Sequence, residues 1–449
     1  MGIKTVQDTS LTSVANAIRV KAEISGTLEF PDEFVLAIQN ISTGITPSGT
    51  KTITENGTYD VTNFASADVN VSSGGGGGAS VPPKDVNFYD YDGTVVDAYT
   101  ASEFANLSAM PANPTHDGLT AQGWNWSLAD AKAYVAKYGR LNIGQMYVTT
   151  SGDTEIDIQL GIGRNKPYLG CCPNGTVEID WGDGSTHDTL TGTNTTSLKS
   201  IQHTYPDTGE PFTITLHMES GSLGFKGVSS SSTGSQVLYN GTTGQTNGQR
   251  SYQNAVKAIR FGSHVTSIGA YAFYNCYSLA SVTIPDSVTS IGGEAFHDCY
   301  SLASVTIPEG VTSIGNYAFY YCTSLASVTI PEGVTSIGDY VFNNCYSLTS
   351  VTIPESVTSI GSYAFRSCYS LTSVTIPEGV TNISTYAFNN CYSLAYIIFE
   401  PTTPPPAGSN AFTSLPSDLV VYVPAGTLSA YQAASNYSGI ASKMVEMSE

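Results

Sequence analysis

From Val265 to Phe399 one phrase, V-T-S-I-G-x-Y-A-F-x-x-C-Y-S-L-x-S-V-T-I-P-x-x, recurs six times with small edits. Phe returns at Phe273, Phe296, Phe319, Phe342, Phe365 and Phe388, and Cys at Cys276, Cys299, Cys322, Cys345, Cys368 and Cys391, always 23 positions apart. A fixed period of this length specifies a solenoid, whose units touch only their neighbours. In one unit Leu302, Val305 and Ile307 alternate with small polar residues, the pattern of a short strand with one buried face. Pro308 ends the strand, Val311 and Ile314 return to the core, and Gly315 is expected to permit a tight bend before Ala318 and Phe319 turn inward. One unit buries too little to offset the entropy of ordering it, so stability must come from stacking.

Six of the eight cysteines belong to this repeat and form one column at strand spacing. Neighbours at that spacing lie within disulfide range, but the expectation is a buried column of small free thiols. A linear ladder does not converge tetrahedrally, so no zinc site is expected. Cys171 and Cys172 are read as packing residues.

The repeat resembles the leucine-rich repeats of the BspA type, found in bacterial and protist surface proteins and in some phage structural proteins. That resemblance implies a curved binding scaffold with no catalytic machinery or cofactor. The net charge of −20, with only 17 Lys and Arg, argues against a nucleic-acid partner. The N-terminal residues carry no uninterrupted apolar core of the kind a secretory signal needs. No run approaches the ~20 apolar residues of a membrane span, so neither export by an ordinary signal nor membrane insertion is expected.

The expected fold is multidomain and mainly β, the solenoid being preceded by a β-sandwich and by small helical and β modules. Residues 1–45 read as a helical attachment module. One helix is capped around Asp8 to Ser10 and carries Leu11, Val14, Ala15 and Ile18; the other starts near Pro31 and carries Phe34, Ile38 and Ile41. Residues 46–72 read as a small β module with a hairpin turn at Glu55-Asn56-Gly57-Thr58. The phrases V-Q-D-T-S-L-T-S-V-A-N-A-I-R and K-T-I-T-E-N-G-T-Y-D-V-T-N-F are similar to segments of tail and baseplate proteins of phages infecting Gram-positive gut bacteria. Residues 73–83, with glycines 74 to 78, form a linker.

Residues 84–150 form an aromatic α+β module with a helix from Leu128 to Tyr138, capped by Ser127 and ended by Gly139. Asp90-Tyr91-Asp92-Gly93-Thr94 looks like the nucleophile motif of haloacid-dehalogenase-like phosphatases. That chemistry also requires magnesium, a Lys and a later acidic pair on a parallel α/β sheet. No alternating strand and helix series follows, so a turn is expected and no enzyme activity. Residues 151–228, with Trp181-Gly182-Asp183-Gly184, His203-Thr204-Tyr205 and Phe212 to Leu216, resemble the polycystic-kidney-disease (PKD) domain, which implies an immunoglobulin-like sandwich acting as a spacer. Asp183 and Gly184 are expected to shape a tight turn rather than hold a cation. Residues 229–252 read as a Ser/Gly-rich loop, 253–400 as the solenoid, and 401–449 as its C-terminal cap, with a strand at Leu419 to Val423 and a helix near Leu428 to Ala434.

Comparison among units shows which positions vary. After Phe the residue changes through Tyr274, His297, Tyr320, Asn343, Arg366 and Asn389, and the next through Asn275, Asp298, Tyr321, Asn344, Ser367 and Asn390. The fold is expected to leave both positions free. Tyr277, Tyr300, Tyr346, Tyr369 and Tyr392 form a column after the cysteines, broken by Thr323, and Tyr271, Tyr317, Tyr340, Tyr363 and Tyr386 form a second. Tyrosine combines apolar area with a polar tip, which suits glycan or protein recognition. The ligand-binding candidates are the first column together with the residues after Phe, and no catalytic or metal-ligating residue is assigned. The strand face, Ser304, Thr306, Ser327 and Thr329 among others, reads as the solvated side of an amphipathic sheet.

The expected function is receptor binding by a phage tail or baseplate protein, carried on the virion and acting extracellularly on a bacterial surface glycan or protein. The N-terminus would attach to other tail proteins, and self-association, a trimer in many attachment proteins, is expected. The alternative is an adhesin on the bacterial cell surface.

Overall fold

The computed structural model describes residues 84–90, 94–227, 237–239, 252 and 254–447, together with five short strands before residue 73. It divides into two units, Met1–Ala79 and Ser80–Glu449.

In the first unit Thr27–Glu29 pairs antiparallel with Thr58–Asp60, while Val35–Ile38 lies between Lys51–Ile53 and Val69–Ser72, antiparallel to both. The helix expected from Pro31 is therefore corrected: Val35–Ile38 is a strand. Its V-L-A-I run has branched aliphatics suited to a pleated surface, and two distant segments satisfy its backbone groups, a non-local pairing that periodicity in one window does not register. The strands flanking the hairpin turn expected at Glu55–Thr58 pair with Val35–Ile38 and Thr27–Glu29, and residues 54–57 of that turn lie outside the described residues. These pairs cross the expected boundary at residue 45. The earlier helix, at Asp8 to Ile18, and the linker 73–83 lie outside the described residues.

The second unit begins with a four-stranded sheet in the order Val95–Tyr99, Val86–Tyr89, Leu141–Thr149, Leu119–Trp124. Val86–Tyr89 is parallel to Leu141–Thr149 and antiparallel to Val95–Tyr99. Thr100 and Glu103 form a capping box on the helix Ala101–Ala105. The helix Leu128–Tyr138 has its expected bounds, and Gly139, at φ 75°, closes it by donating to Val135 O at 2.8 Å. Phe88, Phe104, Trp124, Trp126 and Val135 form the core between sheet and helices.

Two antiparallel sheets follow, joined by one long strand, Tyr168–Asp180. Its first half pairs with Lys199–Gln202 and Leu238–Tyr239, its second with Asp188–Thr193 and Pro211–His217. Trp181 is fully buried, stacks on His203 at 4.4 Å and donates from Nε1 to Asp188 Oδ2 at 2.9 Å. The turn expected at Asp183 and Gly184 is present: Asp183 accepts from Ser185 N at 3.0 Å, and Gly184 has φ 77°. A Cβ at Gly182 would lie 2.2 Å from Thr213 O, so only glycine fits there. Leu238 of the expected loop is buried and paired, although most of 229–252 lies outside the described residues.

This β region runs into the solenoid without a seam. Ser222–Phe225 pairs parallel with Val265–Ile268, and Val256–Arg260 pairs antiparallel with Thr154–Gln159, so both regions share one apolar core. Successive rungs then pair in parallel at the sequence period, as in Ser281↔Ser304 and Ser359↔Asn382. Inside, Phe273, Phe296, Phe319, Phe342, Phe365 and Phe388 form a continuous stack with ring centroids 5.3 to 5.5 Å apart. The six repeat cysteines are free and fully buried. From Cys299 to Cys391, each Sγ donates to the carbonyl of the preceding rung's Phe at 3.2 to 3.3 Å. Burial pushes every one of these thiols upward in pKa.

The solenoid passes its expected end at residue 400. Phe412 stacks on Phe388 at 5.9 Å, and Val420–Val423 continues the parallel sheet beyond Tyr396–Phe399. Phe412 follows Phe388 by 24 residues, not 23, and the run Pro404-Pro405-Pro406 displaces the V-x-x-I return, which hides this rung in the sequence. The short helix Leu428–Ala433 closes the end, with the buried Tyr431 and Tyr437 donating to Pro401 O at 2.6 Å and Pro405 O at 2.8 Å.

The Ser/Thr strand face is not the solvated surface expected. Thr283, Thr306, Thr329 and Thr352 are buried. Residues 84–150 lie on them: Thr329 Oγ1 donates to Asn142 O at 2.7 Å, and Asn142 Nδ2 to Ser350 Oγ at 2.8 Å. A flat array of hydroxyls offers donors and acceptors at regular spacing, which a facing strand with Asn142 and Gly144 can satisfy.

Candidate binding surface

Each rung turns through a segment in which alternate backbone N–H groups serve two directions. Tyr317, Phe319 and Tyr321 donate to Asp339, Val341 and Asn343 of the next rung, while Ala318, Tyr320 and Cys322 donate back within their own turn. That alternation requires two left-handed residues per rung. The first set is Tyr271, Glu294, Tyr317, Tyr340, Tyr363 and Tyr386, and the second Asn275, Asp298, Tyr321, Asn344, Ser367 and Asn390, all at φ between 57° and 63°. The second set is thus not free, as the sequence suggested: Asn and Asp tolerate this backbone best among residues with a side chain. Gly315, expected to make the bend, instead permits close approach, since a Cβ there would sit 2.4 Å from Gly293 N.

The tyrosines form ladders. Tyr317, Tyr340, Tyr363 and Tyr386 stack at 4.5, 4.5 and 4.9 Å. In the column after the cysteines, Tyr277 stacks on Tyr300 at 4.7 Å, and Tyr346, Tyr369 and Tyr392 stack at 4.7 and 5.2 Å. Thr323 interrupts that column, and Tyr321 sits at the break with its ring 6.1 Å from Tyr346. Tyr274, His297 and Tyr320 form a third, shorter stack at 4.7 and 4.6 Å. Tyr300, Tyr369 and Tyr392 are exposed, at 38%, 38% and 56%. Burial, followed by the neighbouring Tyr321, pushes the Tyr346 hydroxyl up to about 12.

The structure separates the candidates. Tyr274, Tyr277, His297, Tyr320, Tyr346 and Arg366 are half-buried beside the exposed tyrosines. Arg366 lies 5.7 Å over the Tyr363 ring. Asn343, at 1% exposed, and Asn389, at 7%, are buried and leave the candidate surface. Asn389 donates to Thr413 Oγ1 at 2.8 Å and accepts from Arg366 Nε at 3.3 Å, so it ties rungs together. Their shorter side chains let neighbouring rungs close over them. Sequence comparison missed Tyr321, because it departs from its own column, and missed a cleft of about 250 Å³ between residues 84–150 and the strand face.

Other polar groups have structural partners. Asp90, 6% exposed, bonds His116 Nε2 at 2.7 Å, and its N–H donates to Thr94 O at 2.8 Å across the turn of a hairpin; Asp92 lies outside the described residues. At Asp183, burial acts upward, but the hydrogen bonds from His203 and Ser185 outweigh it and hold the carboxyl below its usual range. Among the described residues no cluster of three or more His, Cys, Asp or Glu could hold a metal ion, and no helix is long and apolar enough to cross a membrane.

The BspA type Leucine rich repeat region, in six copies, matches residues 248–368 and 335–417. Among solved structures, the T. pallidum Leucine Rich Repeat protein is 35% identical over 37% of this chain and 73% of its own, with a TM-score of 0.30. A leucine-rich repeat protein from Bacteroides ovatus is 23% identical over 46% of this chain and 73% of its own, with a TM-score of 0.31. A leucine rich cell surface protein from Faecalibacterium prausnitzii is 29% identical over 35% of this chain and 59% of its own, with a TM-score of 0.24. No curated protein matches the chain. A repeat region of this kind supports a binding or adhesion role. Residues 248–417 therefore match the BspA type Leucine rich repeat region.

Proposed function

We propose that the chain is the host-recognition protein of a phage tail or baseplate, binding a bacterial surface glycan or protein through its tyrosine ladders. The observation that carries this reading is the stack of half-buried Tyr346 with exposed Tyr369 and Tyr392, in a solenoid whose Ser/Thr face is partly occupied by residues 84–150. Rings held in fixed register by the rungs present apolar area and hydroxyl tips with little left to lose in side-chain entropy on binding. The phage assignment is supported by the N-terminal phrases, and the first unit would be the part that attaches to the particle, in a self-associated form. An adhesin displayed by a bacterium is the second reading, supported by the repeat family alone.

The test is saturable binding of the full chain to intact Gram-positive gut bacteria, compared with a Tyr300→Ala/Tyr369→Ala/Tyr392→Ala variant whose circular dichroism matches the parent. Binding reduced tenfold or more in the variant is expected; equal binding by both excludes the ladders. Immunogold labelling of particles against uninfected cells separates the readings, since label confined to cells contradicts the phage assignment.

A further inference from the structure

Residues 84–150 cover only part of the strand face. Beyond the buried Thr352, the strands Ser373–Ile376 and Tyr396–Phe399 continue past the module's edge, and the cleft of about 250 Å³ opens there. Tyr89, Tyr134 and Arg140 line it from the module, and Ser373, Thr375 and Tyr396 from the solenoid. Hydrogen bonds tie the two walls together. Asn142 bonds Ser350 at 2.8 Å and accepts from Asn87 Nδ2 at 3.1 Å, and Tyr134 is hydrogen-bonded to Thr352. A pre-formed concave site between two structural elements is where small ligands bind, and this one lies just below the usual range of about 300–1,000 Å³.

The lining fixes the ligand class. Three half-buried tyrosines provide ring faces for C–H groups, and the Ser and Thr hydroxyls opposite both donate and accept. A molecule with an apolar face and a rim of hydroxyls matches both walls, and that is a sugar ring. Charge decides between neutral and acidic sugars. Arg140, Lys84 and Asp85 all lie in the lining, Lys84 is already paired with Glu103 at 3.0 Å, and the carboxylates of Glu332, Glu355 and Glu400 act on Tyr134. The field does not favour an anion.

We propose that this cleft binds one terminal neutral hexose or N-acetylhexosamine ring of a glycan, at a site separate from the tyrosine ladders. Saturation-transfer NMR on the full chain, with N-acetylglucosamine, glucose and glucuronate as probes, tests it. Transfer to at least one neutral sugar is expected, weakened tenfold or more by Ser373→Trp, which fills the cleft at a hydroxyl that makes no hydrogen bond in the structure. The measurement is made in the Tyr300→Ala/Tyr369→Ala/Tyr392→Ala background, where the ladder contributes no transfer, so failure of the ladder and failure of the cleft are distinguishable. Tyr396→Ala removes one aromatic wall and serves where the larger substitution lowers the melting temperature. No transfer to either neutral sugar, transfer to glucuronate alone, or transfer undiminished in a folded Ser373→Trp or Tyr396→Ala chain overturns the proposal.

Discussion

At the scale of single residues, the repeat is governed by backbone conformation as much as by apolar burial. Phe and Cys recur because each fills a column with no room for change: Phe319 and Cys322 are wholly inaccessible, and the thiol adds a hydrogen bond to Phe296 O at 3.2 Å. The two left-handed positions are subtler. Asn or Asp stands at four of the six second positions, 275, 298, 344 and 390, whereas Ser367 and Tyr321 depart from the pattern at the same φ. A left-handed backbone costs an L-residue about 1–2 kcal/mol, less for Asn, and most for a β-branched side chain. Ser367→Val is therefore expected to destabilise by about 1–2 kcal/mol, and Ser367→Asn to be neutral or slightly stabilising, both measured by urea unfolding. Equal effects from the two would show that packing, not conformation, sets this position.

At the scale of elements, hydrogen-bonded pairs between distant strands decide what the sequence left open. Asp153 and Glu178 hold imidazoles on the β region before the solenoid: His217 Nδ1 meets Asp153 Oδ1 at 2.6 Å, and His187 Nδ1 meets Glu178 Oε1 at 2.6 Å. The Asp153 bond raises the pKa of His217, with Glu178 and Glu219 adding to it, and the Glu178 bond raises that of His187, with Asp180 adding to it. A pKa raised on folding stabilises while the imidazole is charged. The gain is complete below the unfolded value of about 6.5 and is lost as pH rises through the folded value. Both side chains are about half exposed, so solvent screens the effect. The melting temperature should fall slightly as pH rises through neutrality, and a His187→Gln/His217→Gln variant should flatten that slope; an unchanged slope would place its origin elsewhere. The same scale explains what was legible. Period and apolar spacing were enough for the rungs, the Phe and Cys columns, the helix Leu128–Tyr138 and the Asp183 turn, because local chemistry specifies each. The strand Val35–Ile38 and the covered Thr face were not legible, since each depends on a partner distant in the chain, and the rung at Phe412 was not because prolines displace its apolar return. Within the candidate site, tyrosine spacing revealed the ladders, but burial of Asn343 and Asn389 depends on how neighbouring rungs close over short side chains.

At the scale of the molecule, residues 84–447 are built around a solenoid that is covered on one face and sealed at both ends. The β region before it supplies Ser222–Phe225 as its first rung, with Phe225 packed 5.7 Å from Phe261 and 5.6 Å from Phe273. Removing it exposes those rings, and each large aromatic lost from a core costs about 3–5 kcal/mol. A fragment of residues 253–449 is thus expected to melt well below one of residues 80–449, or to aggregate, while the longer fragment melts in one transition. Equal melting temperatures would mean that the shared core contributes nothing. With the Thr face covered from Thr283 to Thr352 and the interior filled, the turn edge with its exposed tyrosines is a recurring surface open to a partner among the described residues. Hydrogen–deuterium exchange of the full chain, with and without envelope fractions of a bacterium it binds, tests that claim most directly. The account predicts slowed exchange in the turns around Tyr300, Tyr346, Tyr369 and Tyr392; slowing confined to residues 1–79, with those turns unchanged, would contradict it.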